Sequence, residues 1–576
     1  MTASPPDDPT PGDPGAGAGL ETADPTGDQP TEAAETSESA EKSEPAAALA
    51  RSASLTPTER VIPSWTDPTV RRASDAIGGP MGRHALVGRA KWLTPLRVCL
   101  LMAIAILICG WLFKAACIQQ GPNGAGGVVL DQGGQRPWIA VCYNDAVPLF
   151  GSHQLDRAAL PYATSWDDNG ATRYMEYPVV TGYWMWLMAE LSRGYVAFAN
   201  ATGIVPVPLD VAAYFTIGAI FLGLMYLWAV ASTAKIARRR IWDTAIMCLS
   251  PLLIVHAFTN WDLLAIGITA GAMLAWARKK PLWAGALLGL GAAAKLYPVL
   301  LLGPLLILCL RAGKMGAWVR ATIAAAVVWL VINVPVMLAY FDGWYEFIRL
   351  NSERPPEYDS WYFIYATLTR SKIWDATPGS NVPSFVNILS LVLFLTACAG
   401  IGWLGLSAAR RPRFAQLAFL VIAAFLLTNK VWSPQYSLWL LPLAVLALPR
   451  WRPLLAWQAS EAVVWVLLML SFAGVANKGL SIYPFVNAGL VRDAMVLILV
   501  YLVIRDVLRP AGDVVRTAGD DDPSGGVLED AEDRWTVPSL PALLARRRAR
   551  AARGAMDDER ADPNDETAKV GAPADR

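Results

Sequence analysis

DLLAIGITAGAMLAWARKKPLWAGALLGLGAAAKLYPVLLLGPLLILCLRAGK, residues 262–314, decides what kind of protein this is. Three apolar runs, 262–277, 282–294 and 297–310, are separated only by Arg278-Lys279-Lys280 and Lys295-Leu296-Tyr297-Pro298. With tilt and packing, each is long enough to be a transmembrane helix.

The pattern continues outward. Further runs lie near 97–115, 211–233 and 242–259 on one side, and near 317–340, 383–406, 415–428, 437–449, 454–474 and 488–506 on the other. The predicted fold is therefore an all-α polytopic membrane bundle of about twelve spans. Of 576 residues, 54% are hydrophobic and 17% charged, against roughly a quarter charged in soluble chains. An ordinary soluble multidomain enzyme is excluded. The 49 Lys and Arg nearly balance the 48 Asp and Glu, so no global field exists to hold nucleic acid.

Short cytoplasmic connections collect Lys and Arg. With the N-terminus inside, that side receives Lys235, Arg238, Arg239 and Arg240, then Arg278, Lys279 and Lys280, Arg311 and Lys314, Arg410, Arg411 and Arg413, and Arg450 and Arg452. Arg83, Arg89, Lys91 and Arg97 precede the first run. Both termini are expected in the cytoplasm of a multi-pass cell-membrane protein, and no cleavable signal peptide is expected. Two large segments, 116–210 and 341–382, fall outside. Within the first, Tyr183-Trp184-Met185-Trp186-Leu187-Met188 resembles a span, but a span there would flip every later basic cluster. An interfacial or re-entrant helix over 178–200 is expected instead.

Residues 1–90 and 507–576 are rich in Pro, Ala, Asp, Glu or Arg and read as disordered cytoplasmic tails flanking a membrane domain at 91–506. The basic cluster at 546–553 is either solvated or an anionic-lipid contact. Cys99, Cys109, Cys248, Cys309 and Cys398 read as small core residues. Cys117 and Cys142 share the first outside segment, where they either pair as a disulfide or stand free. No zinc-type Cys/His spacing and no phosphate-binding glycine loop is present, so no metal or cofactor is expected.

Ionisable groups at the ends of apolar runs cost several kcal/mol unless paired or facing water. Many gather on the outer side. Tyr143-Asn144-Asp145 is followed by His153, Asp156, Arg157, Asp167, Asp168 and Glu176-Tyr177-Pro178. Asn260 and Asp262 occupy one outer turn, Lys295-Leu296-Tyr297-Pro298 a second, and Asn429-Lys430-Val431-Trp432-Ser433-Pro434-Gln435-Tyr436 a third. Lys295 and Lys430 break the charge bias. Either they snorkel or they hold an anion, and a lipid phosphate is the natural partner. Asp145 is either a general base or half of a turn-forming Asn-Asp pair. Glu176 is either a helix-end charge or a substrate contact, Asp262 either a helix cap or a site residue, and Glu461 sits inside a span without an obvious partner. His153 and His256 either assist a carboxylate or are structural.

The order Asn-Asp, Glu-Tyr-Pro-Val-Val-Thr-Gly-Tyr, Lys-Leu-Tyr-Pro and Asn-Lys-Val-Trp-Ser-Pro-Gln-Tyr resembles actinobacterial glycosyltransferase family 87 membrane proteins of the GT-C superfamily, over roughly residues 90–506. That family includes polyprenol-phosphate-mannose-dependent mannosyltransferases. The resemblance implies an inverting transfer at the outer face, from a polyprenyl-phosphate sugar donor to a lipid or glycan acceptor, without nucleotide or dedicated metal. It implies Asp145 as the catalytic base and Lys295 and Lys430 as donor-phosphate ligands. Asn144, Glu176, Tyr177, Asp262, Trp432 and Gln435 are taken as substrate-binding residues, and the aromatics Tyr143, Tyr177, Trp184 and Trp432 either stack on sugar or prenyl chain or belong to the interfacial aromatic belt. Membrane lipids are the remaining partners. The 341–382 segment matches no motif, which leaves Glu353, Arg354 and Asp359 unassigned. Two rival readings are a secondary transporter of about twelve spans and a non-catalytic partner in envelope assembly.

Overall fold

A computed structural model describes residues 60–76, 92–124, 126–376 and 380–538. The rest of both tails, including Arg83, Arg89, Lys91 and the 546–553 cluster, lies outside the described residues.

Helix α1 (Pro95–Ala115) opens where the Thr94 hydroxyl accepts the Arg97 N–H, with Pro95 in the first turn, where its missing N–H has no helical partner to lose. Leu101, Ile104, Ile108 and Leu112 form an exposed stripe along it, as suits a helix wetted by lipid. The short α2 (Ala146–Ser152) precedes α3 (Val179–Thr202), α4 (Asp210–Ala237), α5 (Asp262–Ala277), α6 (Pro281–Ala292) and α7 (Leu302–Arg311). After α8 (Met315–Ala339) come the smaller α9 (Phe341–Glu353) and α10 (Trp361–Thr369), then α11 (Ser384–Ser407), α12 (Phe414–Thr428), α13 (Ser437–Ala447), α14 (Trp451–Ala473) and α15 (Ile482–Leu508). Six helices are long and apolar enough to cross a membrane, and five shorter apolar helices join them among the described residues. The chain is an all-α polytopic membrane protein. Among the described residues its strands are two hairpins, β1 (Gln120–Pro122) with β2 (Val128–Leu130) and β3 (Trp166–Asp168) with β4 (Ala171–Arg173).

Eleven of the twelve expected runs coincide with helices. The exception is 242–259, which is broken into a 3-10 stretch Arg238–Thr244 and short helices Ala245–Cys248 and Pro251–His256. Pro251 cannot donate to the preceding turn, and Ser250 is extended before it. The 178–200 segment is one 24-residue helix, α3, packed along α4, and it is not among the helices long and apolar enough to span. Helix α6 carries Gly285 and Gly289 four residues apart. A Cβ at either would lie 1.9 Å or 2.2 Å from the carbonyl oxygens of Ala321 and Ala325 on α8. Small residues at that spacing let two backbones touch, the usual route to tight packing where lipid supplies no hydrophobic drive.

Antiparallel succession sends the turns to two ends of the bundle. One end collects the outer turns of the sequence reading. At the other, the basic turns are covered, and within the tails expected to be disordered the described stretches 60–76 and 509–535 are packed segments. Residues 509–535 lie across the basic turns: Arg413 pairs with Asp513 at 2.8 Å with both side chains 1% exposed, Arg311 with Asp533 at 2.6 Å, Arg410 with Asp521 at 2.7 Å, and Arg238 with Glu529. Trp276 Nε1 donates to the Gly525 carbonyl at 2.8 Å. The short helices Pro63–Thr66 and Pro68–Ala76 join them through Val61 N–H to the Arg239 carbonyl and Trp451 N–H to Asp67 Oδ2. Acidic composition concealed this because the acids find their counter-charges in distant turns, not in a core of their own.

Candidate active site

At the opposite end, a cavity of about 680 Å³ is walled by the 143–149 and 176–178 segments, the turns at 259–260, 295–296 and 429–436, and the end of α9 with the loop to residue 359. The Asp145 carboxylate lies on its wall. Asn144, not Asp145, does the capping: its Oδ1 accepts the Val147 N–H at 3.1 Å, and Asp145 makes no cap bond. That leaves the Asp145 side chain free to receive Asn260 Nδ2–H at 2.6 Å, while its N–H donates to the Thr259 carbonyl at 2.7 Å. Asn260 Nδ2 also donates to the Tyr177 hydroxyl at 3.0 Å. Burial pushes the Asp145 carboxyl above the usual range, opposed by hydrogen bonds from Asn260 and Tyr143 and by the Lys295 charge.

The segment before Asp145 is pinned twice. Cys117 and Cys142 are joined as a disulfide, and Lys114 Nζ donates to the Tyr143 carbonyl at 2.7 Å while lying 4.1 Å above the Trp465 ring. The free cysteines Cys99, Cys248 and Cys309 are buried, whereas Cys109 is exposed and Cys398 half-buried, so the expectation of core residues holds for three of the five.

Lys295 lines the cavity with Asp262 behind it at 3.3 Å, 4.9 Å from the Tyr436 ring centre and 5.7 Å from that of Tyr177. Burial alone would lower its ammonium. Asp262 and Tyr436 outweigh that and hold it above the usual lysine value. Lys430 also lines the cavity, but two of its three protons are committed, to the carbonyls of Ser352 (3.2 Å) and Arg354 (2.6 Å). Burial and the neighbouring Arg354 charge lower Lys430 to about 8.

Of the nine residues given catalytic, phosphate-binding or substrate-binding roles from sequence, six line this cavity, Asp145, Glu176, Tyr177, Lys295, Lys430 and Gln435, and Tyr143 and Asn260 line it with them. Three do not line it. Asn144 caps α2. Asp262 is buried beneath Lys295 and accepts Trp439 Nε1–H at 2.7 Å. Trp432 is buried with the Arg492 guanidinium 3.8 Å over its ring, so its stacking partner is a cation of the protein. Glu461 likewise has partners, the Ser437 hydroxyl at 2.6 Å, Trp457 Nε1 at 3.0 Å and Arg492 Nη1 at 3.4 Å.

Arg354 escaped the sequence reading. It lines the cavity 3.7 Å from Glu357, and both arrive on the loop after α9, joined to the 429–436 turn by the Glu357 N–H to the Lys430 carbonyl at 2.9 Å. The only signal in the sequence was an Arg in a segment assigned to the outer side, where the charge bias disfavours it. The cavity thus joins four carboxylates, Asp145, Glu176, Glu357 and Asp359, to three cations, Lys295, Arg354 and Lys430, with apolar walls from Phe347, Ile348, Leu468, Met469 and Phe472.

Residues 197–434 match the model of glycosyltransferase family 87. The match contains Asn260, Asp262, Lys295, Arg354 and Lys430; Asp145 and Glu176 precede it. No curated protein matches the chain.

Proposed function

We propose that the chain, a family 87 glycosyltransferase by the match over residues 197–434, takes a hexosyl unit, mannosyl by family resemblance, from a polyprenyl-phosphate donor at the extracytoplasmic face. One observation carries the reading: the Asp145 carboxylate shares a cavity wall with Lys295, Arg354 and Lys430. In the reaction the acceptor hydroxyl gives its proton to Asp145 as its oxygen bonds to the anomeric carbon. The bond from that carbon to the phosphate oxygen breaks, the electron pair leaves with polyprenyl phosphate, and the configuration inverts. The three cations meet the charge that develops on the departing phosphate, and the apolar wall suits a prenyl chain. A base whose proton affinity has been raised by burial takes a hydroxyl proton more readily than an ordinary aspartate.

The test uses full-length protein with radiolabelled polyprenyl-phosphate mannose and a membrane lipid fraction. Wild type should transfer label, and Asp145→Asn, which keeps the shape of the side chain, should lose roughly 10²- to 10⁴-fold in rate, as for other positioned bases. Equal transfer by both would remove Asp145 from the chemistry. Uptake of a solute into vesicles without transfer would favour the carrier reading.

A further inference from the structure

A second cavity, of about 490 Å³, opens beside the first and shares Leu149, Glu176 and Leu350 with it. Its volume falls within the roughly 300–1,000 Å³ range of small-molecule sites. Its character differs from the first. Where the first is walled by α9, α12 and α14 side chains, the second is lined by the β3–β4 hairpin, the 151–157 segment and the Glu346 turn of α9, and its walls are polar. Trp166 and Tyr174 supply aromatic faces, and Asp167 and Asp168 carry exposed carboxylates.

The electrostatics choose among ligands. Three carboxylates, Asp167, Asp168 and Glu176, face two arginines, Arg157 and Arg173; a fourth, Glu346, is already held by Arg349 at 2.6 Å and draws Arg173 to 3.5 Å. An anion would meet more carboxylate than free cation. A neutral molecule with adjacent hydroxyls can donate to those oxygens and lay its C–H face on an indole. One buried group lacks a partner: His153 is 4% exposed, lines this cavity, and its Nδ1 makes no hydrogen bond among the described residues. Its Nε2 lies 3.9 Å from Glu176 Oε1, beyond hydrogen-bond range. Burial lowers the imidazole to about 4, so near neutral pH it offers one donor and one acceptor.

We propose that this second cavity is the acceptor vestibule and that it takes a neutral polyhydroxylated sugar unit, with Glu176 at the doorway to Asp145. The inference rests on the first cavity being the donor site. A free oligosaccharide and the head of a glycolipid share the required chemistry. The hydroxyl nearest Glu176 is the one delivered to Asp145, and a reaction that extends an existing glycan follows.

The experiment reads binding without donor. Saturation-transfer NMR is recorded on full-length protein in detergent with mannotriose, maltotriose and octyl mannotrioside, for wild type, Trp166→Ala and Asp168→Asn. Both residues sit on the hairpin, half-buried and exposed respectively, and unchanged thermal unfolding would confirm that each variant folds. At least one probe should receive saturation from wild type and bind about tenfold more weakly to each variant, the loss of roughly one hydrogen bond to a charged group. Binding of the octyl form alone would identify the source as a glycolipid; equal binding of free and octyl sugars would show that the head suffices. No transfer to any probe, or binding unaltered in both variants, would overturn the vestibule. If sugar binding is intact while Asp145→Asn transfers label like wild type, the donor-site reading fails and the sugar site stands.

Discussion

At the scale of single residues the two critical groups titrate in opposite senses. In the proposed transfer Asp145 must be deprotonated to accept a proton, and burial holds its carboxyl above the ordinary value. The rate should therefore fall on acidification sooner than for an exposed aspartate. In the same proposal Lys430 must be protonated to attract the donor phosphate, and its ammonium is lost as pH rises through about 8. The kcat/KM profile should be bell-shaped with an alkaline limb near that value. Lys430→Arg should push this limb upward, because a guanidinium does not deprotonate in this range; a limb that stays put would belong to another group. Arg354→Ala should raise the donor KM by roughly tenfold or more, as expected for a charge-assisted contact, and an unchanged donor KM would remove it from the phosphate site. Lys295 and Lys430 were legible because they defy the charge bias. Arg354 was not, since its loop carries no pattern and its neighbours come from helices far away in sequence. For Trp432 the sequence does not show that Arg492, sixty residues on, lies over its face.

At the scale of elements the α6–α8 contact delivers Lys295. Helix α6 ends at Ala292, and its last turns are held against α8 by Gly285 and Gly289. Gly289→Leu would place a side chain where the Ala325 carbonyl oxygen now lies 2.2 Å from an added Cβ. The helices must part. A loss of about 1–3 kcal/mol or more is expected, visible as a lower unfolding temperature in detergent together with a weaker donor interaction. Retention of both would mean that the helices separate freely. The apolar runs themselves were readable from sequence, because hydrophobicity is additive along a helix. The break at Pro251 was present as a proline inside a run, yet the run's apolar character outweighed it in the reading. The extent of α3, by contrast, depends on its docking: Val180 N–H and the Thr181 hydroxyl donate to the carbonyls of Ala293 and Ala294.

At the scale of the whole molecule, charge is arranged by end. The basic end is closed by residues 509–535, and its best-buried pair is Arg413 with Asp513. Burial by itself would raise the Asp513 carboxyl, but Arg413 and the Val515 N–H hold it below the ordinary value. Because the folded value is depressed, this contribution to stability is complete above the unfolded aspartate value of about 3.9 and disappears as pH falls through the folded one. Asp513→Asn should destabilise by about 3–5 kcal/mol by stranding the guanidinium, measured as denaturant resistance of the full chain. A change within error would make the pair ornamental. Residues 509–535 also draw charge-assisted bonds from Arg311 and Arg411 to Asp533, so their attachment should weaken stepwise with each arginine removed.

By itself the sequence determined the membrane class, the positions of the apolar helices other than the broken 242–259 run, and the set of polar turns that break the charge bias, because hydrophobicity, helix length and local charge are properties of short stretches. Tertiary structure alone decided which of those polar groups face a cavity and which support it from behind. Asp262 beneath Lys295, Arg492 between Trp432 and Glu461, and Asp513 on Arg413 are pairings across tens to a hundred residues. A buried charge takes whatever partner the packed helices bring within about 4 Å, and the order of residues along the chain does not reveal which one that is.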